Sequence, residues 1–233
     1  MPLQKVIEKN MPLYINEWLS ELCAIPSIAA HNSHMTEGAE YVEKLCKLAG
    51  AHEVHSYETQ NAPIIVAHFG SGEEKLLCYE HYDVQPPDPL DDWDSDPFQP
   101  HIMGDTEKFL HGKFIARGAA DTKGNLVSRL AALHAYQETH GKLPLQVTLL
   151  CEGGEEIGSP DLPSFVEKHP FVVQSDYCIW ESGGVSDNGA PQLYFGMKGC
   201  LYLTIRFHTM ARDCHSQGAN VAPSAAWLAV LVA

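Results

Sequence analysis

Three short apolar runs, each cut off by an acid or a histidine, constrain this chain more than any other feature. Lys75-Leu76-Leu77-Cys78-Tyr79-Glu80-His81 leads to Asp83, Leu145 to Cys151 leads to Glu152, and Tyr177-Cys178-Ile179-Trp180 leads to Glu181. Runs of this length and composition predict strands buried in a sheet. A helical pattern through Leu126, Leu130, Leu133 and Ala135 separates the first two, and strands alternating with helices predict an α/β sheet covered by helices on its faces. In such sheets ligands gather outside the carboxyl ends of strands, where His81 and the acids are expected. At strand spacing His81 and Asp83 share a face, so one can bind a metal while the other orients or supports it. Taken alone, the same pair is more often a hydrogen-bonded surface pair than a site.

The rest of the chain supplies helices, strands and one long loop. Ile15, Trp18, Leu19 and Leu22 follow the spacing of an amphipathic helix, which Pro26 stops. Val42, Leu45, Cys46 and Ala49 repeat the pattern up to Gly50, a C-terminal signal. Extended runs follow at Glu53 to Tyr57 and Ile64 to Phe69, then a Gly70-Ser71-Gly72-Glu73 turn. Gln85 to Gly112 reads as a long loop rich in Pro and Asp; Trp93 and Phe98 within it favour order over disorder. Arg117-Gly118-Ala119-Ala120-Asp121-Thr122-Lys123-Gly124 delivers Asp121 at a helix entry, where the plainer reading is an N-cap. Glu152-Gly153-Gly154-Glu155-Glu156-Ile157-Gly158-Ser159 places acids at a strand end, and these repel unless cations or protons intervene. A phosphate-binding glycine loop, and with it a nucleotide-binding domain, is set aside because acids repel phosphate and the lysine-containing fingerprint is missing. From about Gly196 the texture changes to an extended stretch (Gly199 to Phe207), a loop and an apolar helix (Ser224 to Val232), the opening elements of a second unit.

Composition narrows the classes. With 233 residues, 45% hydrophobic and 19% charged, and no apolar run long enough to cross a membrane, the sequence describes a globular protein of one or two domains. A net charge of -15 argues against nucleic acid or an anionic membrane as partner. Met1-Pro2-Leu3-Gln4-Lys5 lacks the basic and apolar regions of a secretory signal, so the expected location is cytoplasmic. The cysteines at 23, 46, 78, 151, 178, 200 and 214 stand singly and read as buried free thiols, not as a disulfide frame or a cysteine zinc site.

His81, Asp121, Glu156 and Glu181 together place one imidazole and three carboxylates where strand ends or their following loops can aim them at a common point. That donor set suits zinc, manganese or cobalt, and a carboxylate can bridge two ions. Glu155, beside a ligand, can stay uncoordinated and take a proton from water.

Four phrases carry a resemblance: His81-Tyr82-Asp83-Val84-Gln85-Pro86, Trp93-Asp94-Ser95-Asp96-Pro97-Phe98, Arg117 to Gly124, and Glu152 to Ser159. Together they resemble the M20 family of metallopeptidases, over nearly the whole chain from the first helix onward. Among its branches, which include carnosinase-like dipeptidases and acetylornithine deacetylase, the first two phrases look most like dipeptidases. The resemblance implies a zinc-exopeptidase-like α/β catalytic domain over 1–195, a mixed sheet flanked by helices, and an incomplete α+β lid or dimerisation domain over 196–233. It implies a hydrolase of peptide or amide bonds in a small peptide or N-acyl amino acid, using two divalent ions, zinc foremost. His81, Asp121 and Glu181 would hold one ion, with Asp121 bridging to a second held also by Glu156. Asp83 would clamp the His81 ring, and Glu155 would be the general base for a bridging water. In a homodimer, His215 of the phrase Asp213-Cys214-His215-Ser216 would serve the other subunit's site and stabilise the oxyanion. The Asp121–Thr122 peptide is implied to be cis.

The sequence departs from the family pattern at four points. Glu80 replaces a small glycine before the ligand histidine and is expected to crowd or charge the metal pocket. Thr122 replaces a more usual second acid, and the stretch from Ser216 to Pro223 is shorter and less glycine-rich than the family's lid loop. Family members also run on to a late histidine that caps the second metal, for which nothing after His215 is a candidate. The expectation is therefore a truncated chain, with a non-catalytic metal-binding or interaction fragment, or an amidase or deacylase of the same family, as alternatives to the dipeptidase.

Overall fold

A computed structural model describes residues 2–104, 112–181, 183–213, 215–218 and 220–232. The chain opens with α1 (Leu3–Pro12), passes through a π-helical stretch (Leu13–Leu19) into α2 (Ser20–Ala24), and continues to α3 (Met35–Leu48). Pro12 has no amide proton to donate, and the wider winding begins directly after it. Helical periodicity is read in this region from Ile15, yet the helix begins at Leu3, with α1 contributing only Val6 to the core. α3 turns Val42, Leu45 and Cys46 inward and is followed by Gly50 at φ 92°, the left-handed conformation that glycine adopts without penalty.

β1 (Glu53–Tyr57), β2 (Ile64–Phe69) and β3 (Lys75–His81) follow, then a separate ribbon of β4 (His101–Met103) and β5 (Lys113–Ile115), then α4 (Lys123–His140), β6 (Gln146–Glu152), α5 (Leu162–Lys168) and β7 (Tyr177–Ile179). The main sheet has five strands in the order β1-β2-β6-β3-β7. β1 pairs antiparallel with β2, β2 antiparallel with β6, and β3 lies parallel between β6 and β7. The register sets His81 opposite Glu152 and Cys78 opposite Ile179, so the carboxyl ends of three parallel strands share one edge.

Alternation along the strands builds two cores. Ile65, Ala67, Phe69, Cys78, Val147, Leu149 and Cys151 pack with Leu22, Val42, Leu45, Leu126 and Leu130 of the helices on one face. Ile64, Val66, Leu77, Tyr79 and Leu150 pack with Phe165 and Val172 on the other.

Three expectations need correction. Asp121 is not the N-cap of α4: Thr122 holds that position, and no side chain caps the helix. The run at Tyr177 is a three-residue edge strand with exposed side chains, because it has a partner on one side only. Cys23, Cys46, Cys78 and Cys151 are buried and free, but Cys178 and Cys200 are free and exposed; Cys214 lies outside the described residues. Of the long loop, the described part is ordered around Trp93, whose Nε1–H donates to the Pro87 carbonyl at 2.8 Å and whose ring lies 5.1 Å from the Arg117 guanidinium. Residues 105–111 of that loop lie outside the described residues.

The chain divides into two compact units, Met1–Gln192 and Leu193–Ala233. The first ends with a small ribbon of β8 (Gly184–Val185) and β9 (Pro191–Gln192). The second, taken by itself, holds α6 (Ala225–Val232), which exposes Trp227, Val230 and Leu231. Its stretch 199–207, expected to be extended, has no ladder partner among the described residues. Among the described residues no helix is long and apolar enough to cross a membrane.

Candidate active site

β3 delivers His81 to the shared edge, with its side chain only 1% exposed. One edge of the ring faces Asp83: Nδ1 lies 3.1 Å from the Asp83 carbonyl oxygen and 3.3 Å from Oδ1. The other edge faces carboxylates, with Nε2 at 3.2 Å from Asp121 Oδ1, 3.3 Å from Glu181 Oε2 and 4.0 Å from Glu155 Oε2. Burial works against a charged ring, but the Asp83 hydrogen bond and charge, with Glu181 and Glu155 behind them, outweigh it and raise His81 to about 9.

Asp83 is fully buried and does two jobs. Besides facing His81, it accepts the backbone N–H of Glu155 at 3.2 Å and that of Glu156 at 3.0 Å. The carboxylate therefore fixes the turn that follows β6 as well as the ring at the end of β3. Gly153, in that turn, has no room for a side chain because an added Cβ would collide with the buried Tyr82 ring.

Asp121 and Thr122 are joined by a cis peptide bond. Asp121 stays 72% exposed while its carboxylate reaches His81. Thr122, standing where an acid is usual, is buried and donates its hydroxyl to the His81 carbonyl at 3.1 Å. Lys123, next along, is also fully buried, with Nζ donating to the carbonyls of Leu22 at 2.9 Å and Ile25 at 2.7 Å. Burial lowers its pKa to about 8, against the opposing pull of Cys23 and Asp83. The residue pattern points to no role for Thr122 or Lys123; the available signal is a lysine opening a helix that buries Leu126, Val127 and Leu130.

Glu80 does not crowd the metal pocket as expected. It is one residue out of phase with His81, so the strand turns it toward α4, where it is buried and ion-paired with Arg129. The acids after β6 are also less crowded than their spacing suggests. Glu152 Oε1 accepts the hydroxyls of Tyr79 at 2.6 Å and Ser159 at 2.8 Å, and burial raises its pKa.

Glu181 is raised to about 7, first by burial, with His81 pulling it down and Glu155 and Asp121 pushing it up. Its Oε2 is buried, lies 3.3 Å from the His81 ring and, among the described residues, has no hydrogen-bond partner. Glu156 turns to Gln85, whose Nε2–H donates to its carboxylate at 2.9 Å; burial raises its pKa and Asp121 adds to the shift. His215 lies in the second unit, where its Nδ1 accepts the Gln217 N–H at 3.1 Å.

His81 with Asp121, and His81 with Glu181, fit a divalent ion in donor chemistry and pairwise spacing. Two donors on a tetrahedral ion at about 2.0 Å each stand about 3.3 Å apart, which matches the separations of His81 from Asp121 and Glu181. Among the described residues the buried Glu181 oxygen has no hydrogen-bond donor, which is compatible with a cation there. The separations are pairwise from His81; among the described residues no three such donors close into a ready-formed cage.

Residues 77–229 match the model of peptidase family M20/M25/M40. The Cys-Gly metallodipeptidase dug1 of Schizosaccharomyces pombe is 29% identical, over 92% of this chain and 47% of its own length. The Beta-Ala-His dipeptidase of Mus musculus is 33% identical, over 66% of this chain and 31% of its own. Among solved structures, the M20 family metallo-carboxypeptidase of Sulfolobus solfataricus superposes with a TM-score of 0.74 at 30% identity, covering 92% of this chain and 48% of that one. The chain thus spans about half the length, or less, of the curated relatives it matches.

Proposed function

The chain belongs to the M20/M25/M40 peptidase family, and we propose that the protein is a metal-dependent hydrolase of small peptides, a dipeptidase, working at the carboxyl edge of β3, β6 and β7. The observation that carries this reading is His81, clamped by Asp83 on one side and facing Asp121, Glu181 and Glu155 on the other. In it, His81, Asp121 and Glu181 would hold one divalent ion, and Asp121 with Glu156 would hold a second. Zinc is the first choice for a nitrogen and oxygen donor set, with manganese or cobalt next. When bound, such ions supply Lewis-acid charge to the amide carbonyl and acidify the attacking water.

The chain's own groups do the rest. Donation of the His81 Nδ1–H to Asp83 leaves the Nε2 lone pair free to ligate, so Asp83 selects the tautomer as well as the ring angle. Glu155, held by its own amide on Asp83, takes the proton released as water oxygen bonds to the carbonyl carbon. It then gives that proton to the nitrogen as the C–N bond breaks, leaving an amine and a carboxylic acid, whose remaining proton passes to the amine to give ammonium and carboxylate. His215 is the oxyanion donor in this reading, offered to the other subunit of a homodimer joined through the second unit. The four buried free thiols suit a reducing, cytoplasmic setting.

The test is hydrolysis by the purified protein of Cys-Gly, β-Ala-His, an N-acetyl amino acid and a longer peptide, with and without a chelator. The reading expects the dipeptides to be cut fastest, loss of activity on chelation, and recovery with zinc or manganese. Chelator-resistant cleavage, or preference for the N-acetyl amino acid, would contradict it. Faster cleavage at the carboxyl end of the longer peptide would favour the carboxypeptidase chemistry named for the Sulfolobus relative.

A further inference from the structure

The ladder between β3 and β7 is short. It pairs Leu76 with Tyr177, Leu77 with Cys178 and Cys78 with Ile179, and then stops, two residues before Glu181. Continuing the register would set Tyr79 opposite Trp180. The backbone carbonyls of these two residues both accept hydrogen bonds from one guanidinium: Arg129 donates Nη1–H to Tyr79 at 3.3 Å and Nη2–H to Trp180 at 2.7 Å. Their rings also stack, with centroids 3.9 Å apart at 20°. A side chain of α4 therefore spans the two strands at the point where the backbone rungs run out.

This guanidinium is held in turn by Glu80, which is fully buried on β3 and forms an ion pair with it. A planar fork can bridge two carbonyls, whereas an ammonium offers a single point charge. Burial of the pair carries a desolvation cost that an apolar contact would not, so a buried pair is weak evidence for stability and calls for another role. That role is visible one residue on. Trp180 immediately precedes Glu181 and directly follows β7, a strand three residues long, exposed and paired on one side only.

We propose that Arg129, charge-balanced by Glu80, is a positioning residue for Glu181. It fixes the Trp180 carbonyl and so sets where the Glu181 carboxylate stands relative to His81. The inference rests on the metal-site reading above for its functional meaning, while the bridge itself is independent of that reading.

The experiment compares wild type with Arg129→Lys, Arg129→Met and Glu80→Gln. Zinc dissociation constants are taken by chelator competition, and amide hydrogen exchange is followed across Tyr177–Glu181 in metal-free protein. Arg129→Lys keeps a cation for Glu80 but loses the fork, so it separates folding from positioning. It is expected to melt close to wild type, to bind zinc about 10- to 100-fold more weakly, and to exchange faster over Tyr177–Glu181 while Gln146–Glu152 stays protected. Arg129→Met and Glu80→Gln should move in the same direction. Wild-type affinity and wild-type exchange in Arg129→Lys would overturn the inference, as would a loss of protection spread equally over Gln146–Glu152. A wild-type protein that takes up no zinc would sink the metal-site reading instead, and the exchange data would still decide whether Arg129 holds the Glu181 segment.

Discussion

Asp83 accepts the Glu156 amide at 3.0 Å with the same carboxylate that faces the His81 ring. One buried acid thus couples the end of β3 to the turn after β6. Asp83→Ala should weaken zinc binding by about 10- to 100-fold, the usual effect of removing a group that orients a ligand. It should also cost about 3 kcal/mol or more in denaturant unfolding, because the amides of Glu155 and Glu156 lose a charged acceptor. Zinc titration and urea melts of the same variant check both halves; an effect on stability alone would reduce Asp83 to a structural residue.

Glu155 and Glu156 are adjacent but differently engaged, one near His81 and the other on Gln85. Glu155→Ala should retain metal and lose about two to four orders of magnitude in turnover, the range ascribed to general base catalysis. Metal content and kcat measured together decide the matter. Loss of metal with an unchanged rate per bound ion would mean that the two residues have exchanged roles.

Zinc affinity should depend on pH with a definite sign. His81 ligates only when neutral, and in the metal-free protein its pKa is raised to about 9 by Asp83, Glu181 and Glu155 against the effect of burial. Binding therefore displaces a proton below that value, so affinity should rise about tenfold per pH unit up to about 9 and level off above it. Below about 7, where Glu181 also takes up a proton, the slope should steepen. Isothermal titration in buffers of different ionisation heat counts the released protons; a flat profile between pH 6 and 9, on the order of those two values, would contradict the assignment of His81.

Thiol labelling should divide the cysteines. Burial pushes Cys23 up to about 12 and Cys78 up to about 11, and it raises Cys46 and Cys151 as well. These four should resist a thiol reagent at neutral pH in the folded protein, since the thiolate is the reactive form. Cys178 and Cys200 are exposed and should label first. Peptide mapping after brief labelling checks this, and early modification of Cys46 or Cys151 would contradict the packing of the main core.

Much of this arrangement was legible in the residues. Three apolar runs ending near His81, Glu152 and Glu181 marked the strands and the ends where acids and His81 gather, because strand composition and strand ends are local signals. What sequence could not supply was phase and partnership between distant elements. Glu80 reads as an intruder beside His81, and only the alternation of β3 against α4 shows that it faces Arg129. Glu152 reads as a third repelling acid until Tyr79 and Ser159 are seen to satisfy it. The exposure of Tyr177 and Ile179 is a consequence of sheet order, which a run of apolar residues does not encode.

In the proposed site His81, Asp121 and Glu181 would hold a divalent ion, and Asp121 with Glu156 would hold a second. Metal content per chain of the purified protein, by elemental analysis of wild type, Glu181→Ala and Glu156→Ala after equal zinc loading and dialysis, tests it most directly. Wild type should retain two ions and each variant no more than one. Wild type emerging with no tightly held ion, or both variants retaining the full complement, would contradict it.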